Sequence, residues 1–310
     1  MKPTTKDIQV FSTITDYVLH YSLPAVLHPL LTIIDLGQAR ELAQAQKRIA
    51  VIAPVINQFY TVFLKRNLKG LLYYGHRPYD FSEGVLGFSA PGQVFTVDAS
   101  LDTSAVTGWM LLVHPALLRR YPLGKKMASL RFFAYDANEA LHLSEPEERL
   151  LDSLLTAIRN EATLPIDAFS QDVIVSQLDV LLNYANRFYH RQFLTRRTGE
   201  HDLLSRFDAM LTAYFAYDAD LALPTVHYFA ESLNVSPAYL GDMLRSLTGL
   251  STQQHIHQAL IEKAKQLLLT TSLSINEMAV KLGFEYPQYF SRLFKSKTGL
   301  SPVAYRFSVQ

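Results

Sequence analysis

The chain contains no cysteine. Disulfides and thiolate metal ligands are therefore excluded, and a reducing compartment suits it. It holds a single tryptophan, Trp109, among 310 residues. No run reaches the roughly 18 uninterrupted apolar residues that a membrane span requires, and Met1–Asp7 lack the apolar core of a secretory signal. These absences lead to the expectation of a cytoplasmic protein that meets no membrane. Strong charge of one sign is missing too: 29 Lys/Arg stand against 28 Asp/Glu, a net +1. Overall charge thus gives no hint of a polyanionic partner, and any such function must show itself in pattern. There is no P-loop and no G-x-S-x-G elbow. The one H-x-H pair, His255-x-His257, places its rings about 200° apart on a helix, unsuited to one metal ion. The reading is accordingly of a non-enzyme with no catalytic residue, cofactor or metal site.

What is present is apolar content, 49% against 18% charged residues, enough for sizeable cores in two domains at roughly 100–200 residues each. The last third repeats itself. Thr248-Gly249-Leu250-Ser251 recurs as Thr298-Gly299-Leu300-Ser301, fifty positions on. Leu244 matches Phe294 and Leu240 matches Phe290 at that spacing, whereas Ala230 matches Ala279 and Val226 matches Ile275 at forty-nine. The slip of one falls between Leu233 and Leu240.

Each copy reads as helix, turn, helix. Val226, Phe229, Ala230 and Leu233 share a face at helical spacing. Asn234-Val235 interrupt it, and Ser236-Pro237 offer an N-cap followed by proline in the first turn. Leu240, Met243, Leu244 and Leu247 form the next face, closed by Gly249. In the second copy Ser274-Ile275-Asn276-Glu277 is a capping box. Ile275, Met278, Ala279 and Leu282 follow, Gly283 turns the chain, and Phe290, Leu293 and Phe294 precede Gly299. Ser301-Pro302 then begin a short last helix with Tyr305. Residues 251–271 read as one long helix with Ile256, Leu260, Ala264, Leu267 and Leu268 on one side, a stiff spacer between the copies. Leu203, Phe207, Met210, Leu211 and Tyr214 mark a helix before them. An ordinary bundle would show similar stripes; the short turns, the alanine at the same point of each first helix and the rigid spacer favour paired helix-turn-helix units.

These residues resemble the AraC/XylS family of bacterial regulators. The resemblance rests on Ala230, Leu233, Ser236-Pro237, Tyr239-Leu240, Gly249 and Ser251 in the first unit. In the second it rests on Ile275, Met278-Ala279, Leu282-Gly283-Phe284, Phe290 to Lys295, Gly299 to Pro302 and Tyr305-Arg306. It covers roughly residues 205–308. It implies a sequence-specific transcriptional regulator, here taken as an activator, with double-stranded DNA and RNA polymerase as partners. Arg306 resembles a structural residue of the family.

In a helix-turn-helix unit the N-terminal part of the second helix meets base edges in the major groove, so two units on one rod would read segments about 10 bp apart. The DNA-facing candidates are Ala238, Gly241, Asp242 and Arg245 in the first unit, and Pro287, Gln288, Tyr289, Ser291, Arg292 and Lys295 in the second. Gln pairs with adenine and Arg with guanine in bidentate fashion. Lys295 and Lys297 suit phosphates. Residues 225–308 carry eight Lys/Arg and five Asp/Glu, a net +3.

Residues 30–115 read as short strands: Leu31–Leu36, Ile49–Ile56, Gln58–Lys65, Leu71–Tyr74, Val94–Val97 and Trp109–Val113. Gly70, Gly75, Gly84, Gly87, Pro91-Gly92 and Gly108 punctuate them. Such a pattern suggests a small β-barrel or sandwich. The family resemblance implies a cupin-like sensor, so the fold expected is α+β: a cupin-like β-barrel with flanking helices, then an all-α domain of two helix-turn-helix units on a long helix. Tyr60, Tyr73, Tyr74, His76, Arg77, Tyr79 and Trp109 are the candidates for a small-molecule effector pocket, unless these rings simply fill the barrel. Residues 144–163, with a capping start at Ser144 and a stripe through Leu150, Leu151, Leu154, Leu155 and Ile158, and residues 167–194 read as helices. A stripe such as Val175, Leu178, Leu182 and Ala185 is often intramolecular core; the resemblance implies instead that it pairs two protomers as a homodimer, which is the reading favoured here. The domain expectation is 1–194 for the sensor (helical over about 144–194), 195–201 for the linker and 202–310 for the DNA-binding part. A regulator without a small effector, controlled by expression or a protein partner, is the alternative. A cupin-type enzyme fused to a DNA-binding module is disfavoured by the missing metal cluster and motifs.

Overall fold

The computed structural model describes residues 8–26, 28–45, 55–67, 72–74, 77–79, 84–95, 105–136, 139–195, 197–216 and 222–308, the strands at 72–74 and 77–79 by backbone alone. The chain divides into two compact units, Met1–Gln192 and Phe193–Gln310, and is a mixture of helix and sheet.

The first unit begins with β1 (Gln9–Phe11), α1 (Ile14–His20), β2 (Leu31–Asp35), α2 (Leu36–Ala45), β3 (Val55–Asn57) and β4 (Tyr60–Arg66). It continues through β5 (Leu72–Tyr74), β6 (Arg77–Tyr79), β7 (Val85–Ser89), β8 (Val94–Phe95) and β9 (Thr107–Val113). It closes with α3 (Pro115–Leu118), α4 (Pro122–Lys126), β10 (Leu141–His142), α5 (Glu145–Thr163) and α6 (Ser170–Thr195). Five strands form an antiparallel sheet in the order β10-β7-β4-β9-β2. β4 is its centre, with Phe63 paired to Gly87 and Leu64 to Trp109. A second sheet runs β1-β3-β8, with β1 and β3 parallel, and β5 pairs with β6. Leu31, Leu64, Leu86, Leu111 and Leu112 are wholly buried along these strands; each contributes about 1.5–3 kcal/mol by leaving water.

Several strands depart from the expected bounds. The strand at Leu31 stops at Asp35, because the Asp35 carboxylate accepts the Gln38 amide at 2.9 Å and starts α2 at Leu36. Much of the strand expected at Ile49–Ile56 lies outside the described residues, as do residues 96 and 97. β1, α1, β6 and β10 were not anticipated, nor was β7. Gly84 and Gly87 read as turn formers, yet Gly87 lies inside a strand. A Cβ there would sit 2.2 Å from Cζ of Phe63, so the glycine serves the close approach of a ring rather than a turn. Gly108, inside β9, has φ +114 and would place a Cβ 2.0 Å from the Leu64 carbonyl oxygen.

α5 starts as expected, with a Ser144–Glu147 capping box, and buries Leu151, Leu155 and Ile158. One ionic knot ties it to the sheet. Arg66 on β4 pairs with Glu148 and, at 2.6 Å, with Asp152. The other oxygen of Asp152 accepts the indole N–H of Trp109 at 2.8 Å, and Glu148 accepts the Gly84 amide at 2.6 Å. Arg191 on α6 holds Glu147 at 2.8 Å and the His142 carbonyl at 2.9 Å.

The second unit contains α7 (Arg197–Ala216), α8 (Val226–Leu233), α9 (Pro237–Thr248), α10 (Thr252–Thr270), α11 (Ile275–Lys281), α12 (Pro287–Thr298) and α13 (Pro302–Ser308). Residues 197–200, expected to be linker, are the first turn of α7. Phe207 of α7 meets Phe229 of α8 edge-on at 5.3 Å. Leu260, Ala264, Leu268, Met278, Ala279, Phe290 and Phe294 form one buried cluster joining α10, α11 and α12.

Candidate nucleic-acid interface

Two α-helical hairpins, α8–α9 and α11–α12, are built by the same local bonds. α8 ends where Asn234 takes a left-handed φ of 57 and the Val235 amide donates to the Ala230 carbonyl at 3.0 Å. α11 ends with Gly283 at φ 83 and the Phe284 amide on the Ala279 carbonyl at 2.9 Å. Asn and Gly are the residues that tolerate this backbone, and the long bond is that of a Schellman stop. The two stops are forty-nine positions apart. The first hairpin then enters α9 directly at its N-cap Ser236, whereas the second inserts Glu285 before its N-cap Tyr286. That one residue is the slip in the repeat. Both second helices start on proline and end on a left-handed glycine, Gly249 (φ 77) and Gly299 (φ 80). Thr248 and Thr298 each donate back to the carbonyl four residues earlier, at 2.7 and 2.8 Å, and accept from the amide two residues later. The repeated Thr-Gly-Leu-Ser is therefore a self-contained helix stop followed by a cap; Ser251 caps α10 and accepts from Gln254.

The outer surfaces of the two second helices differ. On α12, Gln288, Tyr289, Arg292 and Lys295 are exposed, with Pro287 and Ser291 half-buried beside them. Tyr289 is 54% exposed. On α9 only Arg245 of the four candidates is exposed; Ala238 and Asp242 are half-buried. Gly241 is buried, along with Tyr239, Leu240, Met243 and Leu244. Its expected place at the DNA surface is corrected: α9 is covered over more of its girth than a simple amphipathic stripe allows. The Asp242 carboxylate lies 3.6 Å from the Arg245 guanidinium, a partly exposed pair worth at most about 1 kcal/mol. Spacing missed Tyr286. Its ring is 48% exposed and stands edge-on to Tyr289 at 5.7 Å, just ahead of the α12 N-terminus. An aromatic residue at the position that serine holds before α9 was the available signal.

The spacer α10 spans nineteen residues, about 28 Å at the helical rise. Arg306 on α13 does not face outward. Its guanidinium donates to the Leu268 carbonyl in the last turn of α10 at 3.2 Å and to the Leu273 carbonyl just beyond that helix at 2.7 Å, satisfying acceptors where α10 ends. His255 bonds the Thr248 hydroxyl at 2.8 Å. Burial holds the pKa of both His255 and His257 below the ordinary value, with Lys297 adding to the effect at His257. Among the described residues no group of three or more His, Asp or Glu could hold a metal ion, and no helix is long and apolar enough to cross a membrane.

Of the residues expected to bind an effector, only Tyr60 and Trp109 have described side chains. Trp109 is 4% exposed and committed to Asp152. Tyr60 packs edge-on to Phe133 at 5.1 Å. Tyr73, Tyr74, Arg77 and Tyr79 fall on β5 and β6, whose side chains lie outside the described residues, as does His76 entirely. A cavity of about 380 Å³ lies elsewhere, lined by β4, β7 and α6 among others. The expected dimer residues are also relocated: Val175, Leu178, Leu182 and Ala185 are all buried inside the protomer. Leu178 and Leu182 share an apolar layer with Tyr60, Val62 and Leu111. The stripe is intramolecular core.

The hairpins and their caps define a helix-turn-helix protein, and residues 229–307 match the family described as "Helix-turn-helix domain". The C-terminal domain is a helix-turn-helix domain of the AraC type. The transcriptional regulatory protein YesN of Bacillus subtilis is 36% identical over 78 residues, covering 24% of this chain and 21% of that protein. The transcriptional activator RhaR of Cronobacter sakazakii is 33% identical over 81 residues, covering 26% of this chain and 29% of that protein. Among solved structures, the C-terminal domain of the response regulator AraT from Geobacillus stearothermophilus is 37% identical, covering 34% of this chain and 84% of that one with a TM-score of 0.31. The chain spans less than half the length of the curated relatives it matches.

Proposed function

We propose that this protein is a sequence-specific DNA-binding transcriptional regulator in which α12 does most of the base reading and α9 mainly positions the domain. The carrying observation is the exposed set Gln288, Tyr289 and Arg292 at the N-terminal part of α12, against an α9 that buries Gly241 and holds Asp242 close to Arg245. Gln288 offers an amide fork for adenine and Arg292 a guanidinium fork for guanine. Tyr289 suits a thymine methyl, and Lys295 a phosphate. A net +3 over residues 225–308 supports salt-dependent but modest affinity per protomer, so a homodimer would supply the rest. The remainder of the reading concerns the first unit. It would be a cupin-like sensor whose small-molecule effector binds two states of the regulator with different affinity, and RNA polymerase would be the partner through which DNA binding becomes transcription. Short antiparallel strands with glycine-dependent close packing, next to a cavity of small-molecule size, support that part.

Selection of binding sites from a random duplex library tests the DNA reading. Arg292→Ala should relax preference at one base pair, costing about 1–3 kcal/mol of discrimination there. Lys295→Ala should weaken binding to all sequences alike and reduce the salt slope by about one. Equal loss of specificity from Gly241→Ala and Arg292→Ala would refute the assignment. For the effector, a thermal-shift screen of the full chain against a chemically diverse metabolite library should find a stabilising compound; silence across the whole library would overturn the sensor reading.

A further inference from the structure

We propose that the cavity between β4, β7 and α6 binds a planar aromatic molecule whose polar end is cationic or a neutral hydrogen-bond donor, and that this cavity, not the Tyr60–Trp109 group, is the effector site. The proposal rests on the sensor reading above and gives it a place and a chemistry.

At about 380 Å³ the cavity is within the range of small-molecule sites. Rings build its walls. Phe132 stacks on Tyr189 with planes 15° apart and centroids at 5.7 Å, and Phe88 lies against Phe132 at 4.4 Å. These rings brace one another, so little side-chain freedom remains to be lost when a flat ligand enters. Phe63 completes the wall over β7, and Gly87 gives its ring the room that any larger residue would take.

The described polar side chains of the lining are those of Ser89, Gln93, Tyr135, Asp136 and Tyr189. The Ser89 hydroxyl is buried. The Gln93 amide is fixed at both ends, accepting from the Ala90 amide and donating to the Phe133 carbonyl, each at 2.7 Å. Asp136 lies exposed at the rim, and its amide donates to the buried Glu139 carboxylate at 2.7 Å. No Lys, Arg or His is among the described lining residues. Lys65 stands 4.7 Å from the Phe63 ring centre but does not line the space. An anionic ligand would therefore face Asp136 with no cation among the described residues of the wall. A cation would find ring faces and a carboxylate, the combination that favours it.

The test compares compounds sharing one ring and differing in charge: tryptamine, indole and indole-3-acetate, titrated calorimetrically into the full chain. Tryptamine should bind at least about tenfold tighter than indole-3-acetate, with indole between them. Ala140→Phe, which fills the cavity from its lining, should weaken tryptamine by more than about tenfold. Asp136→Asn, at an exposed site that leaves folding intact, should cost tryptamine about threefold and indole nothing. Indole-3-acetate binding as tightly as tryptamine would overturn the ligand class. No binding by any of the three, or tryptamine binding that neither variant alters, would overturn the site. A library hit that both variants leave unchanged would keep the sensor reading while removing this cavity from it.

Discussion

Replacing Gly108 with alanine should unfold the first unit far more readily than replacing Gly92, although both glycines have positive φ. At Gly92, φ is +83 and a Cβ meets nothing within 4 Å, so the cost is the left-handed backbone alone, about 1–2 kcal/mol. At Gly108, φ is +114, outside the region that even asparagine favours, and the Cβ would lie 2.0 Å from the Leu64 carbonyl oxygen. The backbone strain costs about 1–3 kcal/mol, and displacing β4 from β9 to relieve the contact adds about 1–3 kcal/mol more. The expected difference between the two variants is about 2–3 kcal/mol. The protein carries its own reporter. Trp109 is the sole tryptophan, adjoins Gly108 in β9 and is buried, so its emission follows urea unfolding of the first unit without interference from the second. Midpoints, rather than starting intensities, are the quantity to compare, because the substitution neighbours the fluorophore. Equal costs, within about 0.5 kcal/mol, would mean that the β4–β9 contact gives way freely and that the close approach of Gly108 to Leu64 costs nothing.

Two further outcomes concern the second unit. Arg306→Ala should cost about 2–3 kcal/mol in helical unfolding followed by circular dichroism, because the Leu268 and Leu273 carbonyls lose a charged donor; full rescue by Lys would show that a point charge, not the guanidinium fork, is what matters. Acidification should lower the melting temperature of this unit between about pH 7.5 and pH 5.5. His255 and His257 both have folded pKa values below the ordinary 6.5, so the unfolded chain binds more protons in that window and is favoured as pH falls. Burial is the main cause at each; Asp208 opposes it at His255 and Lys297 reinforces it at His257. His255→Gln with His257→Gln should flatten the profile, and an unchanged slope in the double variant would place the effect elsewhere.

The second unit was legible because its signals are local. Asn234, Gly283, Thr248, Thr298, Ser236 and Ser251 act on amides and carbonyls within five residues, so spacing alone reveals hairpins, stops and caps. What failed there was Gly241: periodicity gives the direction of a side chain but not how many neighbours crowd the helix. The first unit was less legible because its decisive contacts are distant in sequence. β7 was missed since the ring that requires Gly87 is Phe63, twenty-four positions earlier, and Gly84 is held by Glu148, sixty-four positions later. Trp109 looked like a pocket residue until Asp152 was seen to accept from its indole. The stripe through Leu178 and Leu182 has a partner in its own sheet, which no single-helix pattern can distinguish from a partner in another chain.

The nineteen-residue rod α10 carries unlike readers at its two ends. On the proposed reading, a duplex bound by both would have a head and a tail, since turning the site end for end would bring Arg292 to the bases proposed for Arg245. Such a protein would take a heading along its site from its own backbone. The rod also fixes azimuth: one residue added to it would swing the far reader by about 100°, and no change of operator spacing by whole base pairs would restore both the angle and the rise together.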